Sequence, residues 1–257
     1  MATKQNRVLS PTDEAYSEWQ MAYDHFNQAL FGGILPYCLI TLQREKHTMG
    51  YFSRDRFANR SGRKTDEIAI NPSYFAVCGV DEALQTLVHE MCHLWQHHFG
   101  SPGRGRYHNK QWADYMENIG LMPSHTGSPG GRRTGDKIAD YIVPSGAMET
   151  AIVKLKAKGF ELQWMDRFIA KPMTEIDPYF QVLTSTSEAT FESTGLSTET
   201  IDEIQTVAEV IDLDFTRVTQ KQGSRVKYSC QCDISIWAKP NIHATCDDCG
   251  MSFEVVG

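Results

Sequence analysis

His89 and His93 stand four residues apart, with Glu90 directly after the first, in the run Val88-His89-Glu90-Met91-Cys92-His93. On an α-helix four residues advance about 6 Å and return to nearly the same face, so both imidazoles reach one Zn²⁺. Glu90 lies about 100° round the helix from His89. It is close enough to take a proton from a water held by the metal and poorly aimed to be the third ligand. The H-E-x-x-H spacing is therefore that of metal-assisted hydrolysis, with zinc as Lewis acid and a carboxylate as general base.

Such a pattern also arises by chance on surface helices, and this chain has nine histidines, so the surrounding residues decide. Ala83, Leu84, Leu87, Val88, Met91 and Trp95 recur at three- and four-residue spacing. This predicts an amphipathic helix over 81–99, with Asp81 as N-cap and Gly100-Ser101-Pro102-Gly103 as its stop. The preceding run 66–72, Asp-Glu-Ile-Ala-Ile-Asn-Pro, alternates like a short half-buried strand, the element along which such a site would lay an extended peptide. The basic stretch 50–64, with Arg54, Arg56, Arg60, Arg63 and Lys64, reads as a loop or hairpin and admits an anionic partner beside the site.

A zinc site of this type needs a third protein ligand and an open fourth position. His108 precedes an apolar pattern at Trp112, Tyr115, Met116 and Ile119, so it sits at a helix start where a turn could fold it back onto His89 and His93. The alternatives are Glu117 on the same second helix and His125 in a glycine-rich loop. His97 lies two turns from His89, too far to share its ion, and His98 is worse placed. Phe99 stands where a metzincin carries its third histidine, which excludes that subclass. Cys92 points to another helix face. Tyr107 is a candidate to steady an oxyanion.

The elements around this core are legible in outline. Pro11 to Phe31 reads as a helix with an apolar stripe at Ala15, Trp19, Ala22, Tyr23, Phe26 and Leu30, ended by Gly32-Gly33; Tyr37–Leu42 reads as a strand. The glycine- and arginine-containing run 126–137 lacks a phosphate-loop pattern and reads as a surface loop. Strand over 138–143, helix over 145–158 and strand over 160–164 complete an extension with no chemistry of its own.

At this point the chain resembles the SprT-like (Spartan-type) family of minimal zinc metalloproteases. The matching residues are Phe26-Asn27 and Leu30-Phe31-Gly32-Gly33-Ile34-Leu35-Pro36, then Ile68-Ala69-Ile70-Asn71, then the motif itself, then His108 with Trp112. The ordered set spans about residues 15 to 125. The resemblance implies zinc ligation by His89, His93 and His108, general-base work by Glu90, and, from the family's eukaryotic members, cleavage of proteins crosslinked to DNA.

A second cluster closes the chain: Cys230-Gln231-Cys232, thirteen residues, then Cys246-Asp247-Asp248-Cys249. Four thiolates in two close pairs make a closed tetrahedral Zn²⁺ site, and a segment this short cannot fold on apolar burial alone. The first pair is one residue tighter than the usual ribbon knuckle. Paired cysteines of this kind follow the catalytic domain in bacterial SprT-like proteins, which the arrangement resembles. Ile234, Ile236, Trp237, Phe253 and Val255 suit a small antiparallel sheet, and Arg217, Lys221, Arg225, Lys227 and Lys239, with Tyr228 and Trp237 interleaved, would give it a basic, aromatic face for nucleic acid.

Between the two lies a stretch, 171–216, that carries ten acidic residues, has Lys171 at its edge as its only basic one, and is rich in Ser and Thr. Ile201, Ile204, Val207, Ala208 and Ile211 have helical spacing within it. The formal net charge of −7 is thus concentrated there and does not argue against a nucleic-acid partner. There is no apolar run long enough to span a membrane and no apolar leader after Met1, so a cytoplasmic protein is expected, with Cys38, Cys78 and Cys92 as reduced thiols.

The sequence reading is an α+β chain: a minimal zincin-like metalloprotease domain (10–170), an acidic linker (171–216) and a small β zinc ribbon (217–257). The expected cofactors are one catalytic Zn²⁺, on His89, His93 and His108, and one structural Zn²⁺, on Cys230, Cys232, Cys246 and Cys249. The expected function is endopeptidase action on DNA-associated or DNA-crosslinked proteins, as in crosslink repair, with DNA as partner, no membrane and an open oligomeric state. The alternative is a non-catalytic zinc adapter for nucleic acid or a transcription complex, which an intact Glu90 disfavours because a structural site needs no base.

Overall fold

Ser10 starts the first helix: its hydroxyl accepts the Asp13 N–H at 3.2 Å, Pro11 takes the first helical position, and α1 runs Pro11–Leu30. The computed structural model describes residues 9–45, 48–168, 198–211 and 226–255. It divides into two compact units, Met1–Phe215 and Thr216–Gly257. In the first, α1 buries Trp19, Ala22, Tyr23 and Phe26 and leaves through Gly32 and Gly33, both at positive φ. Asn27 fixes that exit by donating to the Leu35 carbonyl and accepting the Leu35 N–H, each at 3.1 Å.

Three strands follow, β1 (Leu39–Leu42), β2 (Gly50–Ala58) and β3 (Lys64–Ile70), in the order β1-β3-β2. β1 runs parallel and β2 antiparallel to β3. The basic stretch is thus one arm of a hairpin. Its partner β3 is the central strand and is buried from Asp66 onward, so the expectation of a half-buried strand there, lying along the substrate, is corrected. The two acids at its start mimicked a polar face, but Asp66 and Glu67 are themselves buried and partnered. The edge beside the motif helix is β2.

That helix, α2, runs Phe75–Phe99 with a kink at Gly79, whose φ of 73 and ψ of 168 break the helical path. A positive φ is readily accessible only to glycine. The kink also corrects the cap: Asp81 lies inside the first turn after it and pairs with Lys156 at 2.6 Å. Leu84, Leu87, Val88, Met91 and Leu94 of α2 are fully buried against α1 and the sheet. Next come α3 (Lys110–Asn118), an antiparallel pair β4 (Leu121–Ser124) and β5 (Ala139–Ile142), and α4 (Ala147–Lys156), which packs on α1.

Residues 160–164 form no strand. Phe160 and Leu162 are buried in alternation, which imitates one, but the segment is hooked onto α1 through Gln163 N to Glu18 and Trp164 Nε1 to Glu14. Within the acidic stretch the described part is a helix, α5 (Thr198–Val210), that buries Ile201 and packs against α2; residues 171–197 and 212–216 lie outside the described residues. No helix among the described residues is long and apolar enough to cross a membrane.

The second unit is a three-stranded antiparallel sheet, β6 (Val226–Ser229), β7 (Ser235–Ala238) and β8 (Glu254–Val255), in the order β7-β6-β8. Its buried side chains among the described residues are Tyr228, Cys230 and Cys246. Tyr228 is therefore not part of an exposed aromatic face; its hydroxyl donates to the Lys239 carbonyl at 3.0 Å. Trp237 is 63% exposed and stands opposite Lys227 across the β6–β7 pair. Arg217, Lys221 and Arg225 lie outside the described residues.

Candidate metal centre

The helical return of α2 places the His89 and His93 rings side by side, 5.2 Å between centroids. His108 reaches them because Asn109 caps α3, accepting the Trp112 N–H at 3.1 Å, and because its backbone bridges Gly135 in both directions, at 2.8 and 3.1 Å. One ring nitrogen from each of the three histidines lies within 4.8 Å of the others, and His93 Nε2 stands 3.1 Å from His108 Nε2. Nitrogens bound to one zinc at about 2.0–2.1 Å in a tetrahedron sit about 3.4 Å apart, so the donor set fits that ion.

Two of the rings are aimed by their far nitrogens. His89 Nδ1 hydrogen-bonds Asp140 Oδ2 at 2.6 Å, and His108 Nδ1 donates to the Gly135 carbonyl at 3.1 Å. A carbonyl only accepts, so the proton of His108 is on Nδ1 and Nε2 faces the cluster with its lone pair. Beneath all three rings lies Trp112, stacked on His93 at 5.1 Å and edge-on to His89 and His108 at 4.9 and 4.4 Å. Its indole fixes the spacing of the imidazoles from below.

Electrostatics prepare the same atoms. Burial, with His89 as the next contribution, lowers His93 well below the usual imidazole range and brings His108 down to about 4. Both are neutral near pH 7, as metal ligands must be. Burial also opposes charge on His89, but its hydrogen bond to Asp140 and the nearby Glu90 carboxylate outweigh it and raise that ring. Glu90 is buried, and desolvation pushes its carboxyl up to about 7, against the opposing pull of His89 and of the nearby Phe52 backbone. A carboxyl at that value both takes and returns a proton near neutrality.

Asp140 and Gly135 carried no sequence signal, being a single acid in a short strand and one glycine among several. The segment expected to lack chemistry, 138–143, supplies one of them; the loop 126–137 supplies the other. Arg133 of that loop also ties it to α3, through the Ala113 carbonyl, Asp114 and Glu117. Glu117 is thereby engaged away from the cluster. His125 Nδ1 accepts the Arg132 N–H at 2.8 Å within its own loop. Cys92 is fully buried in the core, where burial raises its thiol well above the ordinary value. Tyr107 is partly exposed.

In the second unit, Cys230, Cys232, Cys246 and Cys249 bring their sulfurs within 4.8 Å of one another. Cys232 Sγ lies 3.1 Å from Cys230 Sγ and 3.6 Å from Cys246 Sγ. These distances are far beyond a disulfide bond of about 2.05 Å and close to the separation of about 3.8 Å that four thiolates take round one zinc at about 2.3 Å. This group, too, fits zinc.

Comparison with known proteins adds the lineage. The SprT-like family model matches residues 19–130, a span that holds α1 from Trp19 onward, the three-stranded sheet, α2 and His108. An uncharacterised protein of Salmonella typhimurium, named for its place in the mucB 3′ region, is 61% identical over 62 residues, which cover 24% of this chain and 84% of that protein. No solved structure matches the chain. With the helix exit at Asn27, the motif on α2 and His108 at the head of α3 all inside the matched span, the chain belongs to the SprT-like family, a family of metalloprotease type.

Proposed function

We propose that the chain is a zinc-dependent endopeptidase, built as a minimal zincin-like domain, that acts on DNA-associated or DNA-crosslinked proteins. The observation that carries the reading is the convergence of His89, His93 and His108 beside a buried glutamate whose carboxyl is raised to about 7. In this reading the three Nε2 atoms hold Zn²⁺, which supplies Lewis-acid polarisation of the scissile carbonyl. Glu90 takes the proton from the attacking water on its carboxylate and passes it to the departing amine. Asp140 and Gly135 hold the His89 and His108 rings in register.

The edge strand β2 is the natural cradle for substrate. Among the described residues it pairs with β3 alone, its Phe52 backbone lies near enough to Glu90 to lower that carboxyl, and it carries Arg54 and Arg56. An extended peptide adding to that edge would lie across the base and the histidines. DNA delivery is assigned to the second unit, supported by the exposed Trp237 opposite Lys227, which suits stacking and phosphate contact.

The test is removal of residues 216–257. Cleavage of a DNA-bound protein should slow and lose its salt sensitivity, while cleavage of a short free peptide changes little, because the unit raises effective concentration without touching the chemistry. Equal losses on both substrates would show that the ribbon serves the fold. No peptide cleavage by the zinc-loaded full chain on any substrate would favour the non-catalytic adapter.

A further inference from the structure

The last turn of α2 carries two histidines that the motif does not use. His98 Nε2 lies 2.7 Å from Asp66 Oδ2, and ligand atoms of Asp66, His97 and His98 all lie within 4.8 Å of one another. Asp66 sits on the central strand and is 7% exposed. Its other oxygen, Oδ1, accepts the Asp55 N–H at 2.7 Å. Asp55 belongs to the bulge that interrupts β2 between Ser53 and Phe57, and its φ of 48 turns that N–H inward. The backbone therefore fixes one face of the carboxylate and leaves Oδ2 to the histidines. The His97 ring is held 5.8 Å from that of Phe52, while His98 is partly open to solvent, its side chain 35% exposed, which gives an ion a way in.

We propose that Asp66, His97 and His98 form a second, exchangeable binding site for a divalent transition metal of the zinc class, separate from His89, His93 and His108. Two imidazoles and one carboxylate select borderline ions over Mg²⁺ or Ca²⁺, which take oxygen-only shells. An ion ligated at about 2.0–2.2 Å sets its donors about 3.3 Å apart, so the His98–Asp66 pair need open by only about half an ångström as the shared proton is displaced. The location adds to this: α2 ends at Phe99 with Gly100 as its cap, and the negative end of a helix dipole favours a cation. Three protein ligands, one of them the solvent-open His98, leave a position for water, so the ion exchanges more readily than one enclosed by four cysteines. Bound there, it ties the bulge of β2 and the centre of β3 to the end of the helix that bears the motif. The site stands independently of the proteolytic reading, since its ligands and its readout are its own.

Co²⁺ titrated into the full-length, zinc-loaded protein tests this, with visible absorption reporting binding and elemental analysis reporting zinc retained. One equivalent of Co²⁺ should bind without zinc release, and His98→Ala and His97→Ala should each weaken it at least about tenfold, as expected for loss of a ligand. Asp66→Asn should do the same; because Asp66 is buried, the two histidine variants decide if that one fails to fold. The site is refuted if no Co²⁺ binds beyond zinc exchange up to about 1 mM, or if both histidine variants bind it as the parent does.

Discussion

Asp140 Oδ2 meets His89 Nδ1 at 2.6 Å, joining β5 to the motif helix across 51 residues of sequence. The contact sets the tautomer and rotation of one imidazole and leaves its Nε2 for the cluster. Outer partners of this kind are worth about 10–100-fold in metal affinity. Asp140→Ala should therefore lower zinc affinity by that factor with little change in secondary structure, and Asp140→Asn should lose less, since the amide oxygen still accepts. Competition with a chromophoric chelator measures it; an unchanged affinity in Asp140→Ala would remove Asp140 from the site's design.

Glu90→Gln keeps the shape of the side chain and one acceptor oxygen but cannot take a proton. General-base catalysis contributes about 10²–10⁴-fold, so peptide cleavage should fall by at least that much while zinc content and thermal unfolding stay near those of the parent. Cleavage at the parental rate would overturn the assigned role. Loss of zinc in this variant would make Glu90 a ligand.

Gly50 begins β2 where the strand crosses α2. A Cβ there would stand 2.8 Å from Thr86 Cγ2, 2.9 Å from the Ala69 carbonyl oxygen and 3.5 Å from Glu90 Cγ. Any side chain must push the edge strand off the helix, at about 1–3 kcal/mol for overpacking. Gly50→Val should thus reduce stability by that order and slow peptide cleavage more than it reduces zinc binding. A denaturant midpoint and turnover both equal to the parent's would show that β2 has slack there.

Cys246 is buried in a unit whose other buried side chains among the described residues are Tyr228 and Cys230. So small an apolar core cannot carry a fold without its cross-link. Cys246→Ser should cost one zinc ion per chain and the ordered spectrum of residues 226–255, while the histidine cluster keeps its ion. Amide exchange located by mass spectrometry reads this directly; protection retained within residues 226–255 would show that the sheet stands without metal.

Local periodicity carried much of this by itself. The four-residue return of a helix brings His89 and His93 together wherever that helix forms, and the apolar stripe from Ala83 to Trp95 says that it forms. Ser10-Pro11 and Gly32-Gly33 bound α1 through backbone preferences that need no neighbour, and two tight cysteine pairs converge at short range. What spacing alone left open was non-local. His108, Glu117 and His125 were all admissible third ligands on spacing; the Gly135 bridge and the Arg133 contacts separate them, because they fix where loop 126–137 lies. The alternation at 66–72 suggested a half-buried strand beside the substrate, and only pairing on both sides made it central and left the edge to β2. Asp140 was invisible for the same reason. A lone carboxylate in a strand acquires its meaning from the side chain opposite it, and which side chain that is depends on packing between elements that sequence spacing does not encode.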